Sequence, residues 1–325
     1  MEPQPIFDID SPATFRDLAL ETFALQYREV PVYREFCDHL KRSPARVRSI
    51  EDIPFLPISM FKSREILAQG KQPETVFQSS GTTGMTRSRH LVADLSLYQQ
   101  SFTQGFKAFY GNPSDWCILA LLPSYQQQPG SSLIYMADHL IRQSANPMSG
   151  YLPAEPKRAA DILLKADGAG QNVLLIGVSY ALLDLARSFP MKLHHTVVME
   201  TGGMKGRGQE LVREALHERL CSGLGVEAIH SEYGMTELLS QAYSQGRGLF
   251  RTPPWMQVRI RDTEDPLSLV PDGKTGGIDI IDLANKYSCS FIATQDLGKK
   301  TANGHFEVLG RFDHSDIRGC NLLML

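Results

Sequence analysis

Across residues 11 to 40, apolar Phe15, Leu18, Leu20, Phe23, Leu25, Tyr27 and Phe36 recur at helical intervals behind an Asp10-Ser11-Pro12 start signal. This spacing predicts helical packing. Residues 53 to 58 read Ile-Pro-Phe-Leu-Pro-Ile, and two prolines in an apolar run predict an extended connector in place of a helix interior. Short apolar runs at 116–122, 173–177 and 196–200 then alternate with helical patterns at 132–141, 180–188 and 210–220. Strand followed by helix, repeated, predicts an α/β fold with parallel strands and helices packed on the sheet. After Gly248 the pattern changes to β-like runs at 258–261, 277–281 and 291–293, separated by Pro and Gly turns. The expected organisation is an α/β main domain over 1–247 and a smaller β-rich lobe over 248–325.

Composition narrows the function classes. The 325 residues are 42% hydrophobic and 21% charged, with 26 Gly and 19 Pro, so a substantial core is expected and a disordered or collagen-like chain is excluded. Lys and Arg number 33 against 36 Asp and Glu, a net charge of −3, and this balance argues against nucleic acid or an anionic membrane as partner. A small molecule or a protein is the expected partner. The five cysteines, Cys37, Cys117, Cys221, Cys289 and Cys320, are odd in number and widely spaced, which favours a reducing compartment. The N-terminus lacks a basic stretch followed by an apolar run, and no run of about eighteen apolar residues occurs, so a cytoplasmic protein without a membrane span is expected.

Four segments carry candidate chemistry. Gln78-Ser79-Ser80-Gly81-Thr82-Thr83-Gly84 offers backbone N–H groups and hydroxyls to an anion, although the same residues also make ordinary surface turns. No Gly-Lys-Ser/Thr follows, so this is not a Walker loop; the nearest cations are Arg87 and Arg89. Ser231-Glu232-Tyr233-Gly234-Met235-Thr236-Glu237 follows a strand-like 226–230 and leads into a helix-compatible 238–242, a junction where α/β sheets bind ligands. There Tyr233 can stack on a planar base, Thr236 can donate to a phosphate and Glu237 can hold Mg²⁺; alternatively Ser231 or Thr236 merely caps a helix. Asp296, within Thr294-Gln295-Asp296-Leu297-Gly298, can accept ribose hydroxyls, and Arg311, within Gly310-Arg311-Phe312-Asp313, can neutralise phosphate. A β-turn and a solvated charge are the alternatives.

In this order the four segments resemble the adenylate-forming superfamily of acyl-CoA synthetases, phenylacetate-CoA ligases, luciferases and peptide-synthetase adenylation domains. The resemblance implies that Ser79, Ser80, Gly81, Thr82, Thr83 and Gly84 form the phosphate loop. It implies that Tyr233, Gly234, Met235, Thr236 and Glu237 form the adenine and Mg²⁺ motif, that Asp296 binds ribose and that Arg311 contacts phosphate from the hinge side. Thr201-Gly202-Gly203-Met204 is similar to the glycine segment lining the adenine pocket. The implied fold is the family's large N-terminal domain, mixed and parallel sheets flanked by helices, with a β-rich lobe. The implied cofactors are ATP and Mg²⁺, and the implied reaction is attack of a carboxylate on the α-phosphate of ATP. The chain departs from the family where Met85-Thr86-Arg87 replaces the usual Pro-Lys, making Arg87 or Arg89 the candidate cation there. The family's mobile C-terminal domain and its lysine are expected to be absent; Lys205 is the candidate substitute, although Gly203-Met204-Lys205-Gly206-Arg207-Gly208 also reads as a plain basic loop.

Length and the ending Arg318-Gly319-Cys320-Asn321-Leu322-Leu323 are similar to the acyl-protein synthetases of bacterial bioluminescence, as are Leu122-Pro123-Ser124-Tyr125, residues 131 to 136 and residues 200 to 206. In that family a cysteine near the C-terminus takes the acyl group from the adenylate and passes it to a partner protein. The resemblance assigns this role to Cys320, whose alternative is a small buried hydrophobe; the other four cysteines read as packing. His230 is the one histidine placed to line an acyl pocket. The expected partners are a carboxylic acid, with a fatty acid expected by analogy, and an acyl-accepting protein such as an acyl-CoA reductase-like subunit or a carrier protein. An acyl-CoA ligase and a non-catalytic nucleotide- or acyl-binding subunit are the competing readings, the first disfavoured because the expected missing domain would build its thiol tunnel.

Overall fold

The computed structural model describes residues 5–79, 86–123, 130–202 and 212–311. In chain order the elements are α1 (Pro12–Glu29), α2 (Pro31–His39), β1 (Leu56–Pro57), α3 (Met60–Ser63), β2 (Thr75–Gln78) and β3 (Arg89–Val92). There follow α4 (Leu95–Tyr110), β4 (Cys117–Leu121), α5 (Ser132–Ser144), β5 (Gly150–Tyr151), α6 (Pro156–Asp167), β6 (Val173–Gly177), α7 (Ser179–Ser188), β7 (Thr196–Thr201) and α8 (Arg213–Leu224). The remaining described elements are strands β8 (Ile229–Tyr233), β9 (Ala242–Ser244), β10 (Phe250–Arg251), β11 (Met256–Arg261), β12 (Thr275–Asp282), β13 (Phe291–Lys300) and β14 (Phe306–Arg311). The result is the mixed α/β fold that the alternating pattern predicts. It divides into two compact units, one made of 1–76, 81–95 and 251–325, the other of 77–80 and 96–250.

The second unit carries the parallel sheet. Its strand order is β9-β8-β7-β6-β4-β5, parallel from β8 to β5, with β9 returning antiparallel to β8. Residues 173–177 are all buried, as expected for a central strand covered on both faces. Leu119, Leu175, Leu182, Leu220 and Ile229 belong to one buried cluster that unites strands and helices of this unit. Helix α5 starts on Ser131, whose Oγ accepts from Ile134 N at 3.4 Å, and α8 stops at Gly225, whose φ of +65° is the left-handed conformation glycine adopts without penalty.

The first unit joins sequence-distant pieces. Strands β11-β12-β13-β14 form an antiparallel meander, and β1 pairs in parallel with the start of β13, Leu56 opposite Ile292 and Pro57 opposite Ala293. The two-residue β1 is what the Pro-rich 53–58 run permits, because proline lacks the N–H that a longer ladder needs. Helices α1 and α2 account for the periodic 11–40 span, broken at Val30-Pro31. Phe23 and Tyr33 from these helices meet Phe291 of β13, with ring centroids 6.3 and 5.8 Å away.

One local expectation is overturned. No helix follows Glu237: residues 238–241 form turn and irregular backbone, and the chain reverses into β9. Leu238, Leu239, Ser240, Gln241 and Ala242 are all buried, so burial on all sides, without a helical stripe, produced the apolar pattern. Among the described residues no helix is long and apolar enough to cross a membrane.

Candidate functional site

In the second unit the carboxyl ends of β7 and β8 lie side by side, with Thr201 in register with Glu232. This is the edge of a parallel sheet at which α/β folds bind ligands. Beyond β7, Gly202 takes φ +60°, a turn that a residue with a Cβ resists. Thr201 is 2% exposed, and its Oγ1 is buried without a hydrogen-bond partner. Beyond β8, residues 235–238 make a turn closed by the Leu238 N–H, which donates to the Met235 carbonyl at 3.1 Å. Because no helix begins here, the helix-capping alternative for Ser231 and Thr236 falls away. Tyr233 is buried and packs edge-on against Phe250, centroids 5.9 Å apart. Gly234 leaves room for the Glu232 carboxylate, which any side chain there would meet. Glu237, to which the resemblance gives Mg²⁺, is 5% exposed.

His230, half-buried on β8, lies three residues before Tyr233. Its Nδ1 is 3.1 Å from the Tyr110 hydroxyl, and burial lowers its pKa, so the ring is neutral at pH 7. Ser101 and Ser240 share a buried hydroxyl contact of 2.9 Å.

In the first unit, Asp296 and Arg311 face each other across the β13–β14 ladder. Arg311 Nε donates to Asp296 Oδ1 at 3.3 Å; the Asp296 side chain is 10% exposed and that of Arg311 is 84% exposed. The β-turn alternative for 294–298 is therefore wrong, since these residues are the middle of a ten-residue strand whose alternation is masked because its buried positions are Thr294, Asp296 and Gly298. Arg87 is exposed, whereas Arg89 pairs with Glu65 at 3.3 Å. Ser79 is half-buried at the end of the described 5–79 segment. Ser80, Gly81, Thr82, Thr83, Gly84, Gly203, Lys205 and Cys320 lie outside the described residues.

The remaining cysteines fit the packing role. Cys37, Cys117 and Cys289 are buried and Cys221 partly so; burial pushes all four thiols up, Cys37 to about 12, and suppresses the reactive thiolate. Among the described residues no group of three or more His, Cys, Asp or Glu could hold a metal.

Sequence patterning does not flag Glu200, the last but one residue of β7. Glu200 is 4% exposed and gathers Ser179, Arg213 and His217 around its carboxylate. The available signal was a carboxylate closing the apolar run Val197-Val198-Met199.

Comparison with known proteins agrees with the α/β fold. Residues 8–123 and 160–325 match the family model described as acyl-protein synthetase, LuxE. A long-chain-fatty-acid–luciferin-component ligase of Vibrio harveyi is 23% identical over 93% of this chain and 85% of its own length. A ligase of the same description from Photorhabdus luminescens is 34% identical over 22% of this chain and 60% of its own. Among solved structures, a 2-hydroxyisobutyryl-CoA ligase in complex with 2-HIB-AMP and CoA superimposes with a TM-score of 0.68 at 15% identity, over 95% of this chain and 71% of that one. ATP-bound MatB from Rhodopseudomonas palustris gives 0.54 at 19% identity over 73% of this chain, which spans 47% of MatB. The two-part match, covering most of the sequence and reaching from the N-terminal helices through β14, together with the shared fold, makes this chain a member of the LuxE acyl-protein synthetase family of adenylate-forming ligases.

Proposed function

We propose that this chain activates a carboxylic acid with ATP and transfers the acyl group to a protein thiol by way of Cys320. The observation that carries the nucleotide half is the adjacency of Thr201-Gly202 and the Tyr233–Glu237 turn at neighbouring carboxyl ends of β7 and β8. Gly202 and Gly203 then line the adenine pocket with Tyr233, Gly234 and Met235, while Thr236 and residues 79 to 84 hold phosphate. Asp296 accepts from ribose hydroxyls, and Arg311, already beside it, reaches phosphate; Arg87 and Lys205 supply the remaining positive charge. Glu237 holds Mg²⁺, which when bound offsets charge on the phosphates.

In the first step the acid's carboxylate oxygen bonds to the α-phosphorus as the bond to the β-phosphate oxygen breaks, releasing pyrophosphate. In the second, the Cys320 thiolate attacks the acyl carbonyl and AMP leaves, giving a thioester that a thiol of the accepting protein takes over by exchange. Neutral His230, with Tyr110, lines the acyl side. The acid is a fatty acid in this reading, supported by the description of the Vibrio harveyi relative. The accepting protein is a reductase-like or carrier partner.

The test is the intact mass of the chain after incubation with ATP, Mg²⁺ and a panel of carboxylic acids, repeated on Cys320→Ser. An acid-dependent adduct that hydroxylamine removes, and that the variant lacks while retaining pyrophosphate exchange, is the expected result. Exchange and acyl-CoA formation at an unchanged rate in Cys320→Ser would replace this reading with a CoA ligase. No exchange with any acid would leave a binding subunit.

A further inference from the structure

A carboxylate at the end of a central parallel strand costs several kcal/mol in lost hydration unless it is fully partnered, on the order of the penalties known for buried ions. Glu200 is such a carboxylate, and its partners are specific. Ser179, the first residue of α7, places its Oγ 3.0 Å from Glu200 Oε2 and 2.9 Å from the carbonyl oxygen of Gly202. Arg213, the first residue of α8, donates from a terminal guanidinium nitrogen to Glu200 Oε1 at 3.2 Å. His217 Nε2 stands 3.7 Å from the same oxygen and 3.5 Å from Ser231 Oγ. Burial alone would raise the Glu200 pKa, but His217, Arg213 and Ser231 outweigh it and hold the carboxyl below its ordinary value, so it is ionised at neutral pH.

The outer shell is equally constrained. The Arg213 guanidinium lies over the Phe250 ring at 4.9 Å, and Gly248, at φ +64°, leaves the space its side chain crosses, since a Cβ there would sit 2.9 Å from Arg213 Cδ. Phe250 in turn packs against Tyr233. One carboxylate thus ties together the start of α7, the last residues of β7, the start of α8 and, through Arg213 and Phe250, the ring of Tyr233. Ser179, 0% exposed, has one hydroxyl hydrogen shared between two acceptors, so its position is set by both Glu200 and Gly202.

We infer that Glu200 and Ser179 are positioning residues for the nucleotide pocket, fixing the Gly202 carbonyl and the Tyr233 ring in the orientation that receives the adenosine of ATP. This inference rests on the nucleotide reading given above. It assigns a task to a buried cluster that otherwise only closes the end of the sheet. Neither residue touches the reacting atoms, so their loss weakens nucleotide binding and spares the chemical step.

The experiment uses the full chain and the variants Ser179→Ala, Glu200→Gln and the double variant, with pyrophosphate exchange, equilibrium dialysis of ATP and thermal melting as readouts. Ser179→Ala is expected to raise KM and Kd for ATP about tenfold, the scale of one lost buried hydrogen bond to a charged network, with kcat and the acid KM within about twofold. The double variant is expected to bind ATP no more weakly than the worse single variant, because both changes break one linkage. Should Glu200→Gln fail to fold, Ser179→Ala alone decides. An active wild type whose Ser179→Ala variant keeps the wild-type KM and Kd for ATP overturns the inference and leaves the function standing. The same holds if the variant only lowers the melting temperature, or raises both KM values equally. A wild type that binds ATP without exchange, and loses that binding on Ser179→Ala, overturns the function and supports the positioning role. A wild type that binds no ATP overturns both.

Discussion

Gln26, in the N-terminal helix α1, donates from Nε2 to the carbonyl of Asn285 at 2.9 Å, across 259 positions of sequence. The same nitrogen lies 3.0 Å from the Lys286 carbonyl and from Ser290 Oγ, and Gln26 Oε1 accepts from Ser290 N at 2.9 Å. A side chain of 0% exposure that answers backbone groups on the approach to β13 is a structural clamp within its unit. Gln26→Leu keeps the volume and leaves the Ser290 N–H and the Lys286 carbonyl without the Gln26 amide, while the Asn285 carbonyl keeps the Ser290 hydroxyl at 3.3 Å. The expected loss is about 2–4 kcal/mol in urea unfolding, the cost of orphaning more than one buried polar group. A loss below about 0.5 kcal/mol, the size of a neutral surface change, would show that water replaces the clamp.

That clamp also marks what the sequence could and could not reveal. The helical period of 11–40 is local and could be read directly, but its partner is Phe291 and its neighbours, and no periodicity encodes a contact that distant. The parallel strands β4, β6 and β7 were legible because each is a short apolar run bounded by turn residues. The segment after Glu237 was misread because apolar residues buried on every side fit a helix as well as a turn and strand. Of the candidate site, the motif residues rest on resemblance, and the structure adds only where the described ones lie. The Glu200 cluster was not legible, since Ser179, Arg213 and His217 come to it from separate elements with no shared spacing.

Asp167, the last residue of α6, accepts from the backbone N–H groups of His194 and His195 at 3.0 and 2.8 Å and from Thr196 Oγ1 at 2.7 Å, clamping the entry to β7. Burial pushes its pKa up, but the His195 N–H, the Thr196 hydroxyl and the His194 N–H overcome this and hold it below the ordinary 3.8. A depressed folded-state pKa means that the unfolded chain binds the proton more readily. The stabilisation is therefore complete above the unfolded value and disappears as pH falls through the folded one. Asp167→Asn is expected to lower stability at pH 7 by about 1–3 kcal/mol and to flatten the loss of stability below pH 4. Parallel acid limbs for variant and wild type in unfolding titrations would contradict this.

Gly225 and Gly170 test whether conformation or space governs the glycines that end helices and turns. Both have positive φ, +65° and +71°. A Cβ at Gly225 would stand 2.7 Å from Lys192 Cα and 2.8 Å from the Met191 carbonyl oxygen, whereas at Gly170 nothing lies within 4 Å. Gly170→Ala is expected to cost about 1 kcal/mol, the left-handed penalty alone. Gly225→Ala must also move backbone and is expected to cost roughly 3 kcal/mol or more, within the range for overpacked sites. Equal melting temperatures for the two variants would refute the steric part.

Asp296, Arg311 and Glu237 allow function to be separated from stability. The Asp296–Arg311 pair has an Arg311 side chain 84% exposed, and such a pair contributes about 0–1 kcal/mol to folding. Arg311→Ala should therefore melt within a few degrees of wild type, a shift on the order expected for that energy. In pyrophosphate exchange, with Arg311 on phosphate as proposed, the same change is expected to lower kcat about 10²-fold, the scale seen when one preorganised charge contact is lost. Asp296→Asn keeps the shape, and under the proposed ribose contact a rise of about tenfold in ATP KM with little change in kcat is expected. Glu237→Gln should shift the Mg²⁺ requirement to higher concentration as well as lowering kcat, because a neutral amide binds the ion poorly. Dependence on Mg²⁺ that is unchanged in Glu237→Gln would move the metal to another carboxylate. Exchange that survives Arg311→Ala at the wild-type rate would reduce that residue to an exposed partner of Asp296.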